Sequence, residues 1–135
     1  MHTNVYEKQL VSEIRVQFPV AARTTDQWLM DRGDDETDLQ EMTYRWIEAF
    51  ADRVRDAARA EDFPSIRDQT NFMAEKYLSG SDAVKSIIDV AYAENILWDA
   101  SEKEKASAWP LVSKTIRQLY EEMWGPTSIP TNPGN

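Results

Sequence analysis

Residues 81–100 read SDAVKSIIDVAYAENILWDA, the most apolar run in the chain. Val84, Ile87, Ile88 and Ala91 fall at the i, i+3, i+4, i+7 spacing of one helix face. Val90 and Tyr92 widen that face, and Ile96, Leu97 and Trp98 prolong it. A helix with so wide an apolar arc is contacted on more than one side. The stretch therefore reads as the central helix of an all-α bundle, with Ser81 as its cap.

On the N-terminal side, a helix over about Pro64–Leu78 carries Ile66, Phe72, Met73, Tyr77 and Leu78, and Ser79-Gly80 closes it. Before it, about Asp38–Glu61 is the longest predicted helix, with Thr37 and Gln40 as a capping box. Leu39, Met42, Trp46, Ala49, Phe50, Val54 and Ala57 make its apolar stripe. Arg45, Asp52, Arg53, Arg55, Asp56 and Arg59 read as its solvated, charge-paired face. A short helix over about Thr25–Asp31 ends at Gly33 in a left-handed cap. A first helix runs from about Asn4 to Phe18, where Pro19 stops it.

On the C-terminal side, Ser101 with Glu104 is a second capping box. Pro110 either kinks the following helix or separates Glu102–Ala108 from a new one. Leu111, Val112, Thr115, Ile116, Leu119, Tyr120, Met123 and Trp124 form the last stripe, ended by Gly125-Pro126. Short connections make consecutive helices antiparallel. The expected fold is a compact all-α bundle of five to seven helices, a single domain over residues 1–125 with a flexible tail at 126–135.

Composition removes much catalytic chemistry. No Cys occurs, so there is no disulfide, zinc-thiolate site or cysteine nucleophile. The one histidine, His2, lies in a terminus that frays, a poor place for a base or ligand. Without another, the usual nucleophile–base pairs cannot be assembled. Neither a Gly-rich phosphate loop nor the Glu-x-x-His motif of di-iron bundles is present. Carboxylates alone can hold magnesium, as in helical nucleotide pyrophosphohydrolases. Asp38/Glu41 and Asp99/Glu102 have a three-residue spacing, but both pairs lie near helix starts, where acids complement the helix dipole. The acidic loop lacks the spacing and terminal glutamate of a calcium hand. Arg32-Gly33-Asp34 spells the integrin-binding tripeptide, without an export signal beside it. No cofactor or metal is expected.

The net charge of −9 opposes nucleic acid and anionic membranes as partners. It suits a basic protein partner, or solubility alone. Residues 31–41 concentrate it, with Asp31, Asp34, Asp35, Glu36, Asp38 and Glu41 against Arg32. No basic-then-apolar leader opens the sequence, and no apolar run approaches the roughly 20 residues of a membrane span, so a cytoplasmic protein is expected. Glu94 stands out, because position 94 continues the 87, 91 line of the apolar stripe. An inward carboxylate needs an arginine of the long helix or an N–H as partner. Otherwise Glu94 is an edge residue or a contact for a partner.

The order of motifs carries a resemblance. An arginine-rich long helix precedes a Phe/Met helix ending in Tyr77-Leu78-Ser79-Gly80-Ser81-Asp82. Ile87-Ile88-Asp89-Val90-Ala91-Tyr92-Ala93-Glu94-Asn95-Ile96 follows, then Trp109-Pro110-Leu111-Val112 and a helix ending in Trp124-Gly125. Over residues 40–125 this resembles small, uncharacterised all-helical bacterial proteins, some similar to immunity proteins of polymorphic toxin systems. Val90 through Asn95 matches the V-x-x-x-E-N pattern of that group. The resemblance implies a non-catalytic inhibitor that masks a toxin. Toxins that attack nucleic acid are basic, so acids would steer the encounter. The expected partner-binding residues are Asp34, Asp35, Glu36, Asp38 and Glu41, with Glu94 as a further contact. The alternatives are a metal-dependent helical hydrolase acting on a nucleotide and a self-associating structural bundle.

Overall fold

A computed structural model describes residues 5–127 and 129. All its regular elements are helical: α1 (Val5–Gln17), α2 (Pro19–Met30), α3 (Glu36–Glu41), α4 (Thr43–Arg59), α5 (Phe63–Ser79), α6 (Asp82–Ile87), α7 (Glu102–Ala108) and α8 (Lys114–Trp124). Ile88–Tyr92 is a π-helical turn, and Ala93–Asn95 and Trp109–Leu111 are 3₁₀ turns. None of the described helices is long and apolar enough to cross a membrane. His2, Asn4 at the start of the expected N-terminal helix and most of the expected tail lie outside the described residues. Within that tail, Ile129 packs half-buried against the core.

The eight α-helices among the described residues exceed the expected five to seven, chiefly because the longest predicted helix is two. Met42 takes φ −94° and ψ 59°, off the helical values, and separates α3 from α4. The capping box there belongs to Asp35 and Asp38, not to Thr37 and Gln40. The Asp38 N–H donates to Asp35 Oδ1 at 2.9 Å, and the Asp35 N–H donates to Asp38 Oδ2 at 3.0 Å. α2 begins at Pro19 rather than Thr25, because proline ends one helix and suits the first turn of the next. Gly33, at φ 102°, closes α2 as expected, with Gly33 N–H bonded to the Met30 carbonyl and Asp34 N–H to that of Leu29.

The centre of the bundle is α4, not residues 81–100. Trp46, Ile47, Phe50, Ala51 and Val54 are fully buried, and α4 touches α1, α2, α3, α5, α7 and the π turn. Trp46 stacks on Phe50 with ring centres 5.6 Å apart. Phe50 also meets Phe18 at 6.2 Å and Tyr92 at 6.1 Å, which ties the α1–α2 corner and the π turn to α4. Two arginines of the expected solvated face depart from it: Arg53 is 6% exposed, and the Arg55 side chain 12%.

Residues 81–100 do not form one helix. Ile87, Ile88, Ala91, Tyr92, Ala93, Ile96 and Leu97 are all buried. A regular α-helix turns residues 88 and 93 well apart, whereas the i→i+5 bonding of a π turn brings them toward one side. Asn95 stabilises the exit from that turn, its Nδ2 donating to the Ala91 carbonyl at 2.9 Å and the Val90 carbonyl at 3.3 Å. Asp99, at φ 62°, then redirects the chain into the expected Ser101–Glu104 capping box. Pro110 lies in the 3₁₀ turn between α7 and α8, so Glu102–Ala108 is a separate short helix. Thr70 of α5 fastens this junction by accepting the Ser113 N–H at 3.0 Å.

Candidate functional site

The start of α1, the start of α4, α6 and the π turn converge on one face. Thr43, at the first position of α4, donates to Glu7 Oε2 of α1 at 2.9 Å. Beside this contact lies an open groove of about 490 Å³ lined by Tyr6, Glu7, Tyr44, Ile87 and Val90 among others. Tyr6 is 48% exposed, Val90 40% and neighbouring Met42 43%, so the apolar floor of the face is open to solvent.

Glu7 lines that floor, and Glu48 and Glu94 lie close enough to act on Tyr44 beside it. Burial first, and then the negative field of Glu48, Glu94 and Glu7, pushes the Tyr44 hydroxyl above its ordinary pKa. Burial also raises Glu48, against a partial opposing effect of Arg45 and with reinforcement from Asp52. Arg45 itself is paired with Asp34 at 3.2 Å. Glu94 is raised by burial and by Asp89, and Asp89 by burial. Among the described residues, no ion pair reaches Glu48, Asp89 or Glu94. Chemically, this arrangement favours a positive charge over a negative one. A lysine or arginine could lie against the Tyr rings, a contact of about 0.5–2 kcal/mol depending on desolvation, with its charge toward the acids.

Of the acids singled out in the sequence, the structure brings Glu94 to this face. It is an edge residue, half-buried, without the arginine partner that an inward position requires. Its backbone carbonyl accepts the Trp124 Nε1–H at 2.9 Å. The loop acids are engaged locally. The Asp34 side chain is 8% exposed in its pair with Arg45, and Asp35 and Asp38 form the capping box of α3. Glu41 pairs with Lys8 at 3.3 Å, and Glu36 is exposed in the first turn of α3. Tyr6, Glu7, Tyr44 and Glu48 were not marked by sequence reasoning. Tyr44 and Glu48 lie four apart on one side of the long helix, a signal that was available; for Tyr6 there was none.

The carboxylate pairs considered for magnesium are likewise engaged. Asp99 lies 3.9 Å from Arg55 and Glu102 3.8 Å from Lys105, while Asp38 and Glu41 have the partners already described. Among the described residues, no group of three or more His, Cys, Asp and Glu side chains is placed to hold a metal ion.

Neither the curated proteins nor the solved structures include a match to this chain. A family described as a domain of unknown function (DUF7674) matches residues 11–125, which takes in Tyr44, Glu48, Val90 and Glu94 but not Tyr6 or Glu7. The match takes in all of α2 to α8 and most of α1: the chain belongs to the DUF7674 family.

Proposed function

We propose that the protein is a non-catalytic binding module that docks a basic protein on the groove between α1, α4, α6 and the π turn. The observation that carries this reading is the crowding of Glu48, Glu94 and Glu7 around a half-open tyrosine. Carboxylates held above their ordinary pKa destabilise a fold at neutral pH. A basic side chain from a partner relieves that repulsion on docking. The net charge of −9 adds long-range steering toward such a partner. The finer reading is an immunity-type inhibitor that masks a basic bacterial toxin in the cytoplasm. It is supported by the resemblance over residues 40–125 and by the acidic face.

Capture from a lysate of the source organism, run side by side with variants, tests the proposal. The wild-type chain should retain a basic protein that salt releases. Tyr44→Ala should weaken retention by about 2 kcal/mol, as for a central aromatic anchor. Glu48→Lys with Glu94→Lys should abolish it. Retention that survives both changes rules the groove out. Stability gives an independent readout. A carboxylate whose folded pKa lies above its unfolded value makes the fold more stable as pH falls through the folded value. Glu48→Gln with Glu94→Gln should therefore melt above wild type at pH 7 while binding the partner less well.

A further inference from the structure

Arg53 is 6% exposed, and only one corner of its guanidinium is paired: Nη1 lies 3.2 Å from Asp56 Oδ2. Nε and Nη2 are buried without a hydrogen-bond partner. Buried donors left in this state are destabilising and rare. These two nitrogens form one edge of the guanidinium, the fork that grips a carboxylate through two parallel N–H···O bonds.

Arg53 forms part of the wall of a cleft of about 440 Å³ between α2, α4 and α5, together with the apolar side chains of Phe18, Val20, Ala21, Ala57 and Ala60. The 12-residue α2 begins at its rim, with Pro19 in the first turn and Phe18 making no side-chain cap. The first-turn N–H groups of α2 therefore add positive potential to the cleft. Asp62 lies at the opposite rim and is occupied in capping α5, accepting from Ser65 Oγ at 2.6 Å. Arg53 already shares its charge with Asp56, and Asp62 adds a second carboxylate, so the cleft disfavours a dianion and receives at most a single carboxylate, on the free Nε/Nη2 edge and beside the helix terminus.

We infer that this cleft binds a small apolar monocarboxylate, its carboxylate on the Nε/Nη2 edge of Arg53 and its hydrocarbon body against Phe18, Val20 and Ala57. Both nitrogens are closed off from bulk water, so the carboxylate reaches them through a side-chain shift in the cleft wall. The site lies apart from the acidic groove and does not depend on the function proposed for it.

Titration of the full chain with hexanoate and benzoate, followed at the Arg53 Nε–H resonance, tests the inference. Hexanol and inorganic phosphate serve as comparisons. Both carboxylates should shift that resonance saturably, and bind at least about tenfold more tightly than hexanol or phosphate. Arg53→Lys keeps the charge and loses the fork, and should weaken binding about tenfold or more. Ala60→Phe fills the cleft from an exposed position, and should abolish binding with the melting curve unchanged. If Arg53→Lys does not fold, Ala60→Phe and the ligand comparison decide. An unmoved Arg53 resonance, equal binding of hexanol or phosphate, or undiminished binding by Ala60→Phe overturns the inference.

Discussion

Asp26 fastens the α1–α2 corner to α4. It accepts both arms of Arg15, at 2.8 and 2.9 Å, and the Trp46 Nε1–H at 2.7 Å, while Arg15 also lies over the Trp46 ring. Burial acts to raise the carboxyl pKa, but the bonds from Arg15 and Trp46 outweigh it and the net shift is downward from 3.8. A depressed carboxyl pKa contributes stability that is full above its unfolded value and is lost as pH falls through the folded one. Asp26→Asn should cost about 1.5–3 kcal/mol at neutral pH, as for a hydrogen bond to a charged group. Its loss of stability below pH 3.8 should also be shallower than in wild type, read by urea unfolding across pH. Single residues with a local geometric duty were legible in the sequence: Gly33 in its left-handed cap, Ser101 in its capping box. Asp26 and Arg53 were not, because their surroundings are assembled from different helices. Glu94 could be recognised as unusual, yet its direction depended on the winding of the turn before it.

At the level of elements, Gly80 sets the approach of α5 to α6. Its φ of −84° is open to any residue, so the constraint is space. An added Cβ would lie 2.6 Å from the Lys76 carbonyl oxygen and 2.8 Å from Val84 Cγ1. Gly80→Ala should therefore cost about 1–3 kcal/mol through overpacking. At Gly33 a Cβ meets nothing within 4 Å, so Gly33→Ala carries the left-handed backbone strain alone, about 1–2 kcal/mol. Urea midpoints of the two variants check the comparison; a Gly80→Ala midpoint equal to wild type would contradict the close approach. The limits of α5 and α8 were readable because proline or glycine marks them, at Pro64 and Gly125. The break at Met42 was not. The stripe of Leu39, Met42, Trp46 and Ala49 runs straight through it, and the pairing of Asp35 with Asp38 that fixes α3 is only three residues long.

For the molecule as a whole, the all-helical class was legible from scarce glycine and repeated helical spacing. The identity of the central helix was not. Hydropathy favours residues 81–100, but it does not count neighbours. Within α4, Trp46, Ile47, Phe50, Ala51 and Val54 are fully buried, and helices cover its flanks as well. The candidate face was illegible for a related reason: residues 6–7, 44–48 and 87–94 meet only after the chain has folded. The π turn at Ile88–Tyr92 has a consequence for chain length. A π turn inside a helix holds one residue more than an α-turn. Deleting Asp89 should let the turn rewind as ordinary α-helix with the residues after it kept in register, because Ala93 would then stand four positions after Ile88 and i→i+4 bonding would hold it on the same side. Ala93 and Ile96 would stay in the core, and Glu94 would stay near Tyr44. Any single substitution at position 89 leaves that register intact. The turn thus absorbs one residue without moving the face, and a chain one residue shorter here should keep both its helix content and its partner binding, read by circular dichroism and by capture of the partner.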